Sequence, residues 1–186
     1  ERAGADCIQL EDQVAPKRCG HFAGKDVIST EEAVSKIKAA VDARRDPDFL
    51  IVARTDAAAV QGFEAAVERA QRFAEAGADI LFVEAVTTAE EIRALPQRLA
   101  TPQLMNMVIG GKTPIFNAAE LGELGFGIVL YANAALQGAV MGMQKALTVL
   151  RDEKEVKESG GLVTPFAERQ RLVGKPEWDA LEKRYT

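Results

Sequence analysis

The sequence predicts an α/β protein: the C-terminal five units of a (β/α)8 TIM-type barrel over residues 1–150, followed by a helical extension over 151–186. Three observations predict it. Five short apolar runs alternate with helix-period segments, each run closes on a polar residue, and one glycine-to-glutamate pattern occurs twice. Alternation of this kind implies a parallel sheet, and polar residues at successive strand ends imply a site at the sheet's carboxyl edge.

The repeated pattern comes first in the chain. Arg2-Ala3-Gly4-Ala5-Asp6 leads through Cys7 to Leu10 into Glu11, and Glu75-Ala76-Gly77-Ala78-Asp79 leads through Ile80 to Val83 into Glu84; each glycine precedes its glutamate by seven residues. A glycine at a left-handed cap stops a helix, a short apolar strand follows, and a carboxylate closes it. Phe49 to Ala53 closes on Arg54, Gln103 to Met105 on Asn106, and Phe126 to Tyr131 near Asn133. Helical periodicity fills the intervals Glu31 to Arg44, Gly62 to Ala76, Ala89 to Leu99, Ala118 to Leu124 and Ala134 to Leu150, with Thr30 and Thr88 read as N-caps. Beyond Leu150 a polar stretch, Arg151 to Ser159, precedes two further helical pieces, Pro165 to Val173 and Pro176 to Arg184.

No G-x-G-x-x-G or Walker sequence follows any strand, which favours a barrel over a nucleotide-binding open sheet. A barrel has eight units. The chain opens within what reads as a helix end and without an initiator Met, so about three units, on the order of 80 residues, are expected ahead of it.

Composition narrows the partners. With 47% hydrophobic and 27% charged residues and a net charge of −5, the 186-residue chain is globular and lacks the basic surface that nucleic acid requires. Two cysteines make no disulfide framework, no zinc spacing occurs, and no run is long enough to span a membrane. A reducing cytoplasm is the expected compartment.

The loop after the first strand, Glu11-Asp12-Gln13-Val14-Ala15-Pro16-Lys17-Arg18-Cys19-Gly20-His21, concentrates a thiol, an imidazole, two cations and two carboxylates. Lys17, Arg18 and His21 around Cys19 would favour its thiolate, making it a nucleophile or proton shuttle. The alternative is a small buried filler, with His21 satisfying a loop hydrogen bond. Cys7, inside an apolar strand, reads as structural. Arg54 and Glu84 could instead form a structural ion pair, Gly110-Gly111-Lys112 a simple turn, and Asp12 a brace for the loop.

Lys17-Arg18-Cys19-Gly20-His21, preceded by Leu10-Glu11-Asp12-Gln13, resembles the signature of the isocitrate lyase and phosphoenolpyruvate mutase superfamily. Ala53-Arg54-Thr55-Asp56-Ala57, Phe82-Val83-Glu84-Ala85, Asn106-Met107 and Gly110-Gly111-Lys112-Thr113-Pro114 resemble its later strand ends in order and spacing, over about residues 1 to 150. The cysteine-containing loop is similar to that of the carbon–carbon lyase branch, which includes 2,3-dimethylmalate lyase, 2-methylisocitrate lyase and oxaloacetate hydrolase.

The resemblance implies a Mg2+ (or Mn2+) enzyme cleaving a 2-hydroxy dicarboxylate to pyruvate plus a carboxylate. Oxaloacetate hydrolysis or decarboxylation is one alternative, and a non-catalytic barrel remnant another. It implies that Cys19 protonates the leaving carbanion, Gly20 and His21 bind a carboxylate, and Arg54 neutralises the α-carboxylate and oxyanion. Glu84 and Asn106 complete the pocket, Lys17 supports the loop's charge, and Glu11 belongs to the metal's shell. The aspartate pair that supplies the family's main metal contacts would lie ahead of this chain. A homotetramer of helix-swapped dimers is also implied. Gln137 stands where 2-methylisocitrate lyases carry an arginine, which points to a smaller substrate, while Tyr131-Ala132-Asn133 is closer to the phosphonate-active mutases.

Overall fold

In the computed structural model, which describes residues 1–185, strands and helices alternate as β1 (Cys7–Glu11), α1 (Thr30–Ala43), β2 (Leu50–Thr55), α2 (Ala57–Gln61), α3 (Phe63–Glu75), β3 (Ile80–Val83), α4 (Ala89–Arg98), β4 (Leu104–Asn106), α5 (Ala118–Leu124), β5 (Ile128–Leu130) and α6 (Ala134–Glu153). A 3-10 turn at Glu158–Gly160 then precedes α7 (Phe166–Leu172) and α8 (Lys175–Tyr185).

All strand pairs are parallel and in chain order. β1, β2 and β3 form one sheet and β4 and β5 a second. A parallel bridge between Leu81 and Gln103 joins the two, with the Leu81 amide donating to Pro102 O at 2.9 Å. The architecture is therefore α/β with parallel sheets.

Register carries the strand ends to one edge. Glu11 pairs with Arg54 across β1 and β2, Thr55 pairs with Val83 across β2 and β3, and the Glu84 amide then donates to Thr55 O at 2.9 Å. β2 and β3 are buried along nearly their whole length, which explains why they read as continuous apolar runs rather than alternating ones. On one side Ala53, Leu81, Val83 and Met105 join a core with α1, α3 and α4; on the other Val52, Ile80, Phe82 and Leu104 form a smaller cluster. Within α3, Ala66, Val67, Ala70 and Phe73 recur at helical spacing and are buried together.

Gly77 has φ 99°, as the helix-stopping role requires, and a β-carbon there would sit 3.2 Å from a Val41 methyl. Thr88 caps α4 through a reciprocal capping box with Glu91. The α1 cap is Ser29, not Thr30: Ser29 is extended and its side chain accepts the Glu32 amide, whereas Thr30 is already the first helical residue. The five-residue α2 was not expected, because Ala57 to Gln61 is too short to show a period.

The chain divides into two compact units, the first Glu1–Ala132 and the second beginning at Asn133. The long helix α6 thus groups with the C-terminal segment, ahead of the boundary at residue 150 that composition suggested. None of its residues is buried, and Leu136, Met141, Met143 and Leu147 are exposed.

Candidate active site

The first unit brings the expected residues together at the carboxyl edge. Arg54 ends in a buried guanidinium that donates to Asp56 through Nε (2.8 Å) and Nη2 (3.1 Å). Its Nη1 lies 3.5 Å from Glu84 Oε2 and its Nε 3.5 Å from Glu11 Oε2, and the group stacks 5.0 Å from the Phe82 ring centroid. Burial works against the Arg54 charge, but the hydrogen bond to Asp56 and the fields of Glu84, Asp56 and Glu11 outweigh it and raise its pKa above the ordinary arginine value. The ion pair foreseen between Arg54 and Glu84 is thus present, as one contact in a wider network.

Glu84 is 2% exposed and lies at the centre of that network. Its Oε2 accepts from Asn106 Nδ2 at 3.2 Å. Its Oε1 is 3.1 Å from His21 Nε2, off the line of a hydrogen bond. Ala85, immediately after it, has φ 59°, a left-handed backbone uncommon for a non-glycine residue and concentrated at functional sites.

The Cys19–Gly20–His21 turn sits directly on this pair. A β-carbon on Gly20 would fall 2.4 Å from Glu84 Cγ and 2.7 Å from Arg54 Nη2, so only glycine permits the approach. His21 Nδ1 accepts the Lys112 amide at 3.1 Å, which places the proton of a neutral ring on Nε2, toward Glu84. Lys112 therefore takes part through its backbone, and the glycine-rich turn before it holds the imidazole. His21 Nε2 and Asn106 Oδ1 are buried without a hydrogen-bond partner among the described residues; such atoms are rare and are open to a ligand.

Cys19 is exposed, which sets aside the buried-filler reading. The cations that the sequence places around it are engaged elsewhere. Lys17 Nζ pairs with Glu11 at 3.2 Å, Arg18 Nη1 donates to Ala23 O at 3.3 Å, and His21 meets Lys112 and Glu84. Cys7 is exposed as well, at the open start of β1 rather than inside a core.

Asp12 braces the loop, as expected for it. Only 1% exposed, it accepts from Thr55 Oγ1 (2.6 Å), the Asp56 amide (2.9 Å) and Arg69 Nη1 (3.3 Å), tying the end of β1 to the end of β2. Burial raises its pKa above the ordinary aspartate value, and the bonds from Thr55, Asp56 and Arg69 offset this only in part. Gln13 staples the turn from below, its amide donating to Arg18 O and accepting from Arg18 N, both at 2.8 Å.

Among the described residues no three His, Cys, Asp or Glu side chains come together as a metal-binding group. Glu11 offers one carboxylate, already paired with Lys17 and Arg54. The residues present do not by themselves make a metal site.

Sequence reasoning missed Asp56, Lys25 and Arg69. Asp56 stood in a quoted motif without a role, and the available signal was its position two residues beyond Arg54. Lys25 and Arg69 carried no signal, since both are lone cations away from any strand end or quoted motif.

These features define an α/β protein of parallel strands with a buried network of charged and polar side chains at the sheet's carboxyl edge. The sequence pattern of the phosphoenolpyruvate phosphomutase family matches residues 1–151, and the chain belongs to that family. It is 42% identical over 185 residues to the 2,3-dimethylmalate lyase of Eubacterium barkeri, covering 100% of this chain and 64% of that protein. It is 52% identical over 155 residues to the 2-methylisocitrate lyase of Aeropyrum pernix, covering 83% and 49%.

Among solved structures, oxaloacetate acetylhydrolase with the inhibitor 3,3-difluorooxalacetate superposes with a TM-score of 0.89 at 32% identity, over 99% of this chain and 62% of that one. A phosphonopyruvate hydrolase complex with oxalate and Mg2+ gives 0.82 at 30% identity, over 99% and 64%. The chain spans about half to two thirds of the length of the curated relatives it matches.

Proposed function

We propose that the protein carrying this chain is a Mg2+-dependent carbon–carbon lyase that cleaves a 2-hydroxy dicarboxylate, such as 2,3-dimethylmalate or 2-methylisocitrate, to pyruvate plus a carboxylate. The observation that carries this reading is the seating of the Cys19–Gly20–His21 turn on Arg54 and Glu84. The names of the relatives point the same way.

In cleavage of 2,3-dimethylmalate the 2-hydroxyl gives up its proton to solvent, the C2 carbonyl forms, and the C2–C3 bond breaks with its electron pair left on C3. Protonation of C3 then gives propionate beside pyruvate. Cys19 delivers that proton. Arg54 neutralises the α-carboxylate and the oxyanion that develops on C2, a role suited to a guanidinium held in a fixed orientation by Asp56. His21 Nε2 and the Gly20 backbone bind carboxylate oxygen, Glu84 and Asn106 complete the pocket, held together by the bond from Asn106 Nδ2 to Glu84, and Lys17 balances the charge of Glu11.

The Mg2+ or Mn2+ of this reading needs oxygen ligands beyond Glu11. We read β1 to β5 as five consecutive units of a (β/α)8 barrel, because they are parallel, in chain order and carry their site at the carboxyl ends. The barrel segment is 1–150 in this reading and 151–186 the helical extension. The exposed apolar side chains of α6 support a homotetramer of helix-swapped dimers. No described helix is long and apolar enough to cross a membrane, and a cytoplasmic location is part of the proposal.

The test is Cys19→Ser in the protein that carries this chain. Turnover of its best dicarboxylate is expected to fall by roughly 10²-fold or more, the range for a general acid, with oxalate binding retained. Full activity in that variant would remove Cys19 from the proton transfer. The oxaloacetate acetylhydrolase superposition supports a second reading, hydrolysis or decarboxylation of oxaloacetate at the same site. Products from a dicarboxylate panel separate them: oxalate plus acetate, or pyruvate plus CO2, favours the second. No turnover across the panel would leave a non-catalytic barrel.

A further inference from the structure

Lys25 is a buried cation that the proposed chemistry does not use. Its side chain is 3% exposed. A buried ammonium is costly unless it is hydrogen-bonded and paired; Lys25 donates to Gly20 O and Phe22 O (3.4 Å), and its charge is paired with Asp56 Oδ1 at 3.9 Å, beyond hydrogen-bond reach. Two of these partners belong to the Cys19–Gly20–His21 turn and the residue after it; the third lies at the end of β2.

Asp56 is the fixed point. It is fully buried, its amide is held by Asp12, and its carboxylate receives both Nε and Nη2 of Arg54. Asp56 Oδ1 therefore faces two cations, Lys25 from the turn and Arg54 from the site. Opening the turn would withdraw the Gly20 and Phe22 carbonyls from the ammonium and leave it leaning on Asp56 alone, in competition with Arg54.

We propose that Lys25 is a positioning residue that couples closure of the Cys19–Gly20–His21 turn to the orientation of Arg54 through Asp56. By reciprocity, a dicarboxylate that orients Arg54 also favours the closed turn. Under the lyase reading, on which the turnover part of the test rests, Lys25 ensures that the Cys19 thiol and the Arg54 guanidinium are in place together.

The experiment is hydrogen exchange, resolved to peptides, on the protein that carries this chain, with wild type, Lys25→Met, Asp56→Asn, the double variant and Lys25→Arg, each with and without oxalate. Exchange over residues 18–24 is expected to rise about tenfold in Lys25→Met, the scale of one charge-assisted hydrogen bond. Asp56→Asn, which changes the carboxylate that Lys25 and Arg54 share and leaves the amide bond to Asp12, should raise it as well, and the double variant should not exceed the larger single effect. Lys25→Arg should restore part of the protection.

With 2,3-dimethylmalate, Lys25→Met should lower kcat about a hundredfold and change KM little, as a misplaced catalytic group does. An unchanged turn in Lys25→Met overturns the proposal, as does a turn in Asp56→Asn as protected as in wild type. A loosened turn with wild-type kcat also overturns it. If wild type turns over no dicarboxylate, the lyase reading fails, and the exchange pattern across the four variants still decides the coupling.

Discussion

The apolar residues of β2, Leu50 to Ala53, and those of β5, Ile128 to Leu130, are of the same kinds and have opposite surroundings. Leu50–Thr55 is buried at every position but the first, whereas Ile128 and Leu130 of β5 are exposed and Val129 is half-buried. β2 has β1 on one side and β3 on the other, with α3 packed across it, while β5 pairs only with β4 among the described residues. The comparison teaches that an apolar strand is a statement about composition, and that its burial belongs to its neighbours. The same contrast places the polar network: Arg54, Asp56 and Glu84 are dry because they end the central strands, and Glu11 at the end of β1 is partly exposed.

The contrast can be broken most forcefully at the centre. Phe73→Ala, which empties the helix face against β2, should cost about 3–5 kcal/mol in denaturant unfolding. A loss under about 1 kcal/mol would mean that the central core repacks freely.

The next effect is electrostatic and also central. Because burial raises the Asp12 pKa, its contribution to stability is fully present below the unfolded value of 3.8 and is lost as pH rises through the higher folded value. The stability of wild type relative to Asp12→Asn should therefore fall as pH rises through that window, measured by paired unfolding curves. A difference independent of pH would show that the Thr55, Asp56 and Arg69 bonds fully offset burial.

At the flank, Leu130→Ala on β5 should cost only about 1 kcal/mol or less, since the side chain is 39% exposed. The smallest change has the opposite sign: Gly122→Ala in α5, where a β-carbon meets nothing within 4 Å, should stabilise by about 0.5–1 kcal/mol. The first outcome follows from the loose surroundings of β5 and would grow to several kcal/mol if that strand were packed like β2; the second follows from the open space at Gly122.

Much of the candidate site's geometry was legible because its residues close strands. Arg54, Glu84 and Asn106 each follow an apolar run, and parallel register carries such positions to one edge whatever the rest of the fold does. The density of reactive groups from Glu11 to His21 also marked itself. What could not be read was which group meets which. The sequence surrounds Cys19 with cations, yet Lys17 turns to Glu11, Arg18 to Ala23 and His21 to Glu84 and the Lys112 amide.

Strand and helix order, the helix-stopping Gly77, the capped start of α4 and the family were determined by the sequence itself, because periodicity, capping and motif spacing are local properties. Tertiary structure alone decided that Gly20 must lack a side chain, which groups Asp12 holds as a brace, and that Lys25 and Asp56 stand beneath the turn. Those depend on contacts between residues far apart in the chain, and on the cost of burying a charge, which only its three-dimensional neighbours can offset.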